Sequence, residues 1–284
     1  MSEIEEPIGP IFRGRENLSV SLIISSAFFA RNSFNIERKK TSQEIPEPER
    51  MFTYWAYCIG SVFSAVAFLE ATINEFFLNA VEVERGAMGS DIFTPLDPKS
   101  PLDSKVVESM AQIWNEKNAG SYYDFNNVMC LLTNSLKNKK KDYKSRSVDF
   151  WPILDKYQLA LCLNHCSPFD TSPTSNWDCA DTLIELRNRL VHYKSVWTTI
   201  SAPQGGYEGP EPEGGDIAKL LNKLKDYKIC SNPLYNISFP YNCLGWKGAN
   251  WAVESSLKFT DEFFDWMGLK PNYDSQRHLL NTKI

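Results

Sequence analysis

Apolar side chains recur at helical spacing along most of this chain. Residues 51–81 contain no proline and a single glycine, and Pro46 and Pro48 stand just upstream, so we predict a long buried helix there. Residues 18–24 alternate apolar side chains with serines, as a strand would, but residues 27–37 have helical spacing. We therefore favour a helix for the whole of this early stretch.

Shorter helical patterns follow, and glycine and proline concentrate between several of them. Further helices are predicted at 105–117, 122–137, 150–166, 177–200, 217–227 and 249–267. No internal repeat and no ladder of strands is present, so we predict a mainly α fold, a helical bundle with long loop insertions at about 85–175 and 201–216. We expect residues 1–48 to form an N-terminal extension packing on the bundle and residues 49–284 to form the helical domain.

Composition adds limits on function. The chain has 284 residues, 43% of them hydrophobic, which is enough for a sizeable core. Thirty basic residues against 35 acidic ones give a net charge of −5, which excludes dense, histone-like wrapping of nucleic acid. A local basic patch is still available at residues 137–146. That string is either a solvated surface loop or a set of phosphate contacts.

The sequence favours a reduced, cytoplasmic protein. Its seven cysteines are odd in number and include no Cys-x-x-Cys pair. Glu3, Glu5 and Glu6 stand where a signal peptide needs positive charge, so we expect no cleaved leader. The apolar run at 56–69 is shorter than the roughly 20 residues that span a bilayer, and we interpret it as a buried helix. The string CLNHC at 162–166 matches no zinc-ligand spacing and favours helix packing.

The predicted helix at 177–200 carries two distinct faces when its residues are placed at about 100° intervals. An apolar stripe is formed by Leu183, Leu186, Leu190, Tyr193 and Trp197. Nearly opposite lies a polar face with Asp181, Glu185, Asn188, His192 and Ser195. Arg187 lies on the flank between the two faces. A carboxylate, an amide, an imidazole and a hydroxyl thus share one side of the helix, beside a guanidinium.

These residue types suit proton transfer at a phosphate. The imidazole of His192 can take a proton from a ribose 2′-hydroxyl or give one to a leaving oxygen. The guanidinium of Arg187 can hold phosphoryl oxygens while negative charge builds on them. Neither a metal ion nor a cofactor is required for this chemistry, and we expect none. A single pair would make a modest catalyst, but a symmetric dimer would bring two pairs into one cleft.

At these residues the sequence resembles the HEPN (higher eukaryotes and prokaryotes nucleotide-binding) superfamily. Arg187, Asn188 and His192 match its motif of arginine, a polar residue and a histidine, with four residues between arginine and histidine. The string AFLEATINEFF at 67–77 is similar to the first bundle helix of several bacterial members. The resemblance implies an α-helical bundle, metal-independent RNA cleavage and an active site built across a homodimer. It also implies that Arg187 binds phosphate, Asn188 supports it and His192 is the acid or base.

Three further polar residues are candidates for supporting this site. Glu70 and Asn74 fall in a sector of the long early helix that is otherwise apolar, where a carboxylate must be paired, hydrogen-bonded or protonated. Glu70 therefore either binds Arg187 or Arg189 and orients the site, or satisfies helix ends and buried amides. Glu185, on the polar face of the motif helix, is the third candidate.

From this resemblance we expect a cytoplasmic, homodimeric endoribonuclease that cleaves single-stranded or loop RNA and leaves a 2′,3′-cyclic phosphate. The alternative is a non-catalytic HEPN-like module that binds RNA, a nucleotide or a protein partner. We expect RNA and a second copy of the chain as partners, and no membrane. A toxin with an inhibitor protein, a phage-defence component and a housekeeping factor all stay open as biological roles.

Overall fold

The computed structural model describes residues 17–39, 48–86, 93–122, 125–126, 143–193, 215–230 and 239–283. It confirms the prediction of a mainly α fold. Over the described ranges the regular structure is helical, and the nearest approach to a sheet is a single bridge between Pro95 and Leu269.

Helices α1 (Leu18–Arg38) and α2 (Pro48–Glu84) form an extensively packed pair. The helix predicted at 51–81 is thus present and extends by three residues at each end. The other α-helices are α3 (Ser104–Asn115), α4 (Ile153–Leu163), α5 (Asn176–Val191), α6 (Gly215–Asp226) and α7 (Trp246–Trp266). Short 3₁₀ helices lie at Ala119–Ser121, Val148–Phe150 and Asp274–Leu280. The helix predicted at 122–137 lies almost wholly outside the described residues.

The serines of α1 explain why its sequence resembles a strand. Ser19, Ser26 and Ser33 recur every seven residues and are fully buried. The hydroxyl of Ser26 donates to the carbonyl of Ser61 in α2 at 2.8 Å, and Ser61 donates back to the carbonyl of Ser26 at 3.1 Å. These small side chains allow the two helices to approach closely, and their hydroxyl groups find backbone acceptors there. The apparent polar face is therefore an interface between helices.

Helix α2 is the central element, contacting α1, α3, α4, α5 and α7. Its inner face carries the fully buried Phe68, Phe76 and Phe77. At 37 residues it is long and apolar enough to span a membrane by length and composition, so the expectation that its apolar run is too short was wrong. Half of its most apolar stretch is buried inside the structure. Core helices of soluble proteins pass the same test, so this feature alone does not distinguish a membrane protein from a soluble one.

Helix α1 and the helices of the predicted insertion all contribute to one core. Ile23 and Ala27 of α1 are fully buried, as are Met110 of α3 and Leu159 of α4. The described part of the stretch at 85–175 therefore includes helices that pack on α2, in addition to loops. The domain boundary between residues 48 and 49 stays a prediction.

Candidate functional site

The N-terminal end of α5, the helix that carries the candidate site, is fixed by a local cap. The hydroxyl of Ser175 accepts the backbone N–H of Asp178 at 3.2 Å, and the Asp178 carboxylate accepts the backbone N–H of Thr174 at 3.2 Å. Ser175 thereby pairs a donor that the first turn of a helix otherwise leaves free, and Asp178 pairs the N–H of the residue before the cap. The sequence Ser-Asn-Trp-Asp at 175–178 therefore encodes the start of α5.

Asp178 also joins α5 to α6. The ammonium of Lys223 donates to one carboxylate oxygen at 2.8 Å, and the hydroxyl of Tyr227 donates to the other. Burial raises the pKa of the Asp178 carboxyl, but the hydrogen bonds from Lys223, Tyr227 and Thr174 outweigh burial and hold the pKa below its usual value. The charged form of Asp178 thus ties the motif helix to its neighbour.

We expect Asp178→Asn to lower the free energy of unfolding by roughly 1–3 kcal/mol at neutral pH, because it removes charge-assisted hydrogen bonds. The stabilisation from a lowered carboxyl pKa is present above the unfolded-state pKa of about 3.9 and is lost as pH falls through the lower folded-state pKa. The difference in melting temperature between wild type and variant should therefore be larger at pH 7 than at a pH below the unfolded-state pKa. Asp226→Asn, at an exposed aspartate of α6, is the control. An equal difference at both pH values would contradict the assignment.

The C-terminal end of α5 differs from the sequence prediction. The helix ends at Val191, and His192 is its capping residue, with a backbone N–H that donates to the carbonyl of Asn188 at 3.0 Å. The predicted helix ran to residue 200, which placed the motif in mid-helix, and that placement was wrong. Residues 194–200, with the candidate Ser195 and the stripe residue Trp197, lie outside the described part of the chain.

Packing explains why the helix stops there. Leu183 and Leu186 of the predicted apolar stripe are fully buried, as expected. Beyond them burial declines: Leu190 is only partly buried, and Tyr193 is 44% exposed. Helices in proteins depend largely on tertiary packing of an apolar face, so α5 loses its support at this point.

The motif residues differ in their exposure. Asn188 and His192 are exposed to solvent, whereas Arg187 is partly buried. The Nε atom of Arg187 is covered and has no hydrogen-bond partner within the described residues. Arg189, two positions on, has a carboxylate within reach, since its guanidinium lies 3.7 Å from Glu185. Glu185 therefore faces Arg189, and no ion pair with Arg187 is formed in the described structure.

Arg187 and His192 do not share one side of α5. Five residues at about 100° each separate them by about 140° around the helix axis. A single copy of α5 therefore presents the guanidinium and the imidazole in different directions. Asn188 and His192, four residues apart, lie on the same side.

The two supporting residues proposed on α2 do not meet the arginines of α5. Glu70 is exposed to solvent, which corrects the expectation that it is buried, and no described hydrogen bond or ion pair joins it to Arg187 or Arg189. Asn74 instead accepts a hydrogen bond from the ammonium of Lys156 at 2.8 Å. Phe63, about two turns away on the same side as Glu70, is 37% exposed, whereas Phe77 of the same sector is fully buried, so only the edge of the sector that holds Glu70 faces solvent.

Lys156 is a buried charge that the sequence did not reveal. It belongs to α4, where every residue from Ile153 to Leu163 is buried, and its ammonium also donates to the carbonyl of Asp149 at 2.7 Å. Burial lowers the pKa of Lys156, while the carboxylates of Asp149 and Glu70 oppose that effect. Glu70 therefore acts electrostatically on Lys156.

Glu75 is the buried carboxylate of α2. It is 7% exposed and accepts both the backbone N–H of Ser19, at 3.0 Å, and the Ser19 hydroxyl, at 2.5 Å. These bonds pair donors in the first turn of α1, where a negative charge is also favourable to the helix dipole. The sequence pattern does not single out Glu75 for this role, because several acidic residues share the same helix.

The cysteines of the CLNHC string pack between helices. Cys162 is buried within α4, and the thiol of Cys166 donates to the carbonyl of Trp266 at 3.2 Å. His165 between them is exposed and has a positive φ of 54°, in the turn that ends α4. Within the described residues, no cluster of three or more histidine, cysteine or acidic side chains has an arrangement that could hold a metal ion.

No protein-family model, curated protein or solved structure matches this chain. Membership of the HEPN superfamily therefore stays a prediction that depends on the motif.

Proposed function

We propose that the chain is a metal-independent, HEPN-like endoribonuclease that acts as a homodimer. The observation that carries the proposal is that Arg187 has no ion-pair partner among the described residues, although Arg189 on the same helix lies within reach of Glu185. An arginine used only for structure would be expected to have a carboxylate partner. One without such a partner is available to bind a phosphate.

The proposed reaction uses the side chains of α5. The exposed imidazole of His192 takes a proton from a ribose 2′-hydroxyl or protonates the leaving 5′-oxygen. The guanidinium of Arg187 binds the phosphoryl oxygens as negative charge builds on them, and Asn188 contributes an amide beside His192. Attack by the 2′-oxygen on the adjacent phosphorus breaks the bond to the 5′-oxygen. The products are a 2′,3′-cyclic phosphate and a 5′-hydroxyl.

A second copy of the chain is part of this proposal because of the helix geometry. Arg187 and His192 point about 140° apart on α5, so one copy does not direct both groups at one phosphate. In the proposed dimer, a twofold axis between the two motif helices would bring each arginine next to the histidine of the other copy. We therefore expect the active form to be the dimer.

A non-catalytic binding module is the second candidate. The observation that favours it is the position of His192 at the end of α5, where it is less firmly held than a residue within a packed helix. In that case the Arg187 guanidinium would bind RNA, a nucleotide or an acidic partner without cleavage. RNA binding should then weaken with salt, with a slope of about −0.7 for each phosphate engaged.

The test is incubation of purified wild-type protein with a mixed RNA substrate in excess EDTA, followed by analysis of product ends. We expect cleavage, 2′,3′-cyclic phosphate ends and 5′-hydroxyl ends. Arg189→Ala is the matched control, because it removes an arginine of the same helix that lies near Glu185, and it should cleave normally. If a folded dimer binds RNA with the expected salt dependence but does not cleave it, the binding module is correct. Cleavage that requires added metal would contradict the proposed mechanism.

A further inference from the structure

Two cysteines that belong to no recognisable sequence motif lie close together between α6 and α7. Cys230 follows the end of α6, and Cys243 lies in the turn before α7 begins at Trp246. Their Sγ atoms are 3.1 Å apart. Both thiols are free, so this is a contact between two unbonded sulfurs.

The backbone holds both sulfurs in place. The N–H of Ile229, next to Cys230, donates to the carbonyl of Leu224 at 3.0 Å. The N–H of Cys243 donates to the carbonyl of Pro240, also at 3.0 Å. Gly248 of α7 lies directly against this turn, since a Cβ atom there would come within 2.3 Å of the Cys243 carbonyl oxygen. The short distance between the sulfurs is therefore supported by packing on both sides.

The two thiols are not equivalent. Cys230 is partly exposed, whereas Cys243 is 2% exposed. The hydrogen bond from Cys243 and the nearby Lys225 ammonium lower the pKa of Cys230, although burial opposes them. The hydrogen bond with Cys230 and burial raise the pKa of Cys243. A more accessible thiol with the lower pKa is the one that reacts first with an oxidant, and the buried thiol is placed to follow.

We propose that Cys230 and Cys243 form a reversible dithiol–disulfide site that is oxidised by low-molecular-weight disulfides such as glutathione disulfide. The Cys230 thiolate attacks one sulfur of the oxidant, which breaks the sulfur–sulfur bond of the oxidant and releases one glutathione thiolate. Cys243 then loses its proton, and its sulfur attacks Cys230 Sγ and releases the second glutathione. Two electrons pass from the protein to the oxidant, and two glutathione thiols are formed.

The bond would connect the end of α6 to the start of α7 across a ring of residues 230–243. Lys223 of α6 and Tyr227, the residue after α6, hold Asp178 of the motif helix. Cross-linking a ring of this length restricts the unfolded chain, so the oxidised protein should be more stable. We expect its melting temperature to rise by about 5–10 °C.

The test uses the full-length chain, equilibrated with reduced and oxidised glutathione at several ratios and then trapped by alkylation. Peptide mass mapping of wild type should show a Cys230–Cys243 linkage with the loss of two hydrogen atoms. Dithiothreitol should reverse both the linkage and the rise in melting temperature. This measurement needs no variant, so it stays decisive even if a substitution prevents folding.

Two variants separate the steps. Cys243→Ser should accumulate glutathione on Cys230, because the thiol that resolves the mixed disulfide is missing. Cys166→Ser, at another partly buried cysteine, is the matched control and should form the linkage as wild type does. The proposal is overturned if wild type carries glutathione on Cys230 without forming the linkage, or if neither cysteine reacts at any ratio.

Discussion

His192→Ala is expected to reduce the rate of RNA cleavage by about 10²–10⁴-fold, the usual contribution of a general acid or base. The melting temperature should change by no more than about 2 °C, because His192 is exposed and such substitutions shift stability by under about 0.5 kcal/mol. The measurement is single-turnover cleavage of an RNA substrate in EDTA, with thermal unfolding of the same samples.

The matched control is His278→Ala, which removes an exposed histidine from the 3₁₀ helix at Asp274–Leu280. It should retain full activity. A large fall in melting temperature for His192→Ala would indicate a structural role, and unchanged cleavage would remove His192 from the mechanism.

Substitutions at Arg187 provide an independent test of the same site. Arg187→Ala should lose cleavage to a similar degree, and Arg187→Lys should recover only part of it because lysine lacks the planar, bidentate donor pair. Arg189→Ala again provides the comparison. If Arg187→Lys were fully active, the guanidinium would not be the group that holds the phosphate.

Phe76→Ala is expected to lower the free energy of unfolding by about 3–5 kcal/mol, the largest effect on stability that we predict. Phe76 is fully buried on α2, and its ring meets those of Phe93, Phe263 and Phe264 at centroid distances of 5.1, 5.2 and 6.3 Å. Alanine would leave a cavity and remove these edge-to-face contacts. The melting temperature should fall by about 6–15 °C, measured by thermal unfolding with denaturant titration as a check.

Phe52→Ala, on the same helix, is the control because its side chain is 63% exposed. It should change stability by no more than about 0.5 kcal/mol. Equal losses of stability from the two substitutions would mean that Phe76 does not lie on the buried face of α2.

The sequence by itself determined the mainly α class and the positions of the long helices. The stretch predicted at 51–81 is Pro48–Glu84, and that predicted at 249–267 is Trp246–Trp266. Both signals are long and contain no internal proline, so local pattern and tertiary packing favour the same structure. The chemistry proposed for α5 also comes from the order of residues along the sequence, and it stays a prediction.

Only the tertiary structure decided which polar residues are buried. Glu70 and Glu75 both lie on α2, yet Glu70 faces solvent while Glu75 binds Ser19 of α1. The periodicity of apolar residues locates the buried face of a helix only to within a broad sector. Which edge of that sector is covered depends on the neighbouring helices, and the sequence pattern of one helix does not describe them.

The end of α5 and the meeting of Cys230 with Cys243 have the same physical origin. Helix α5 stops where the neighbouring helices no longer cover its apolar side, and the two thiols meet because α6 and α7 bring them together. Both depend on contacts between residues far apart along the chain, whereas helix formation depends mainly on residues within one or two turns.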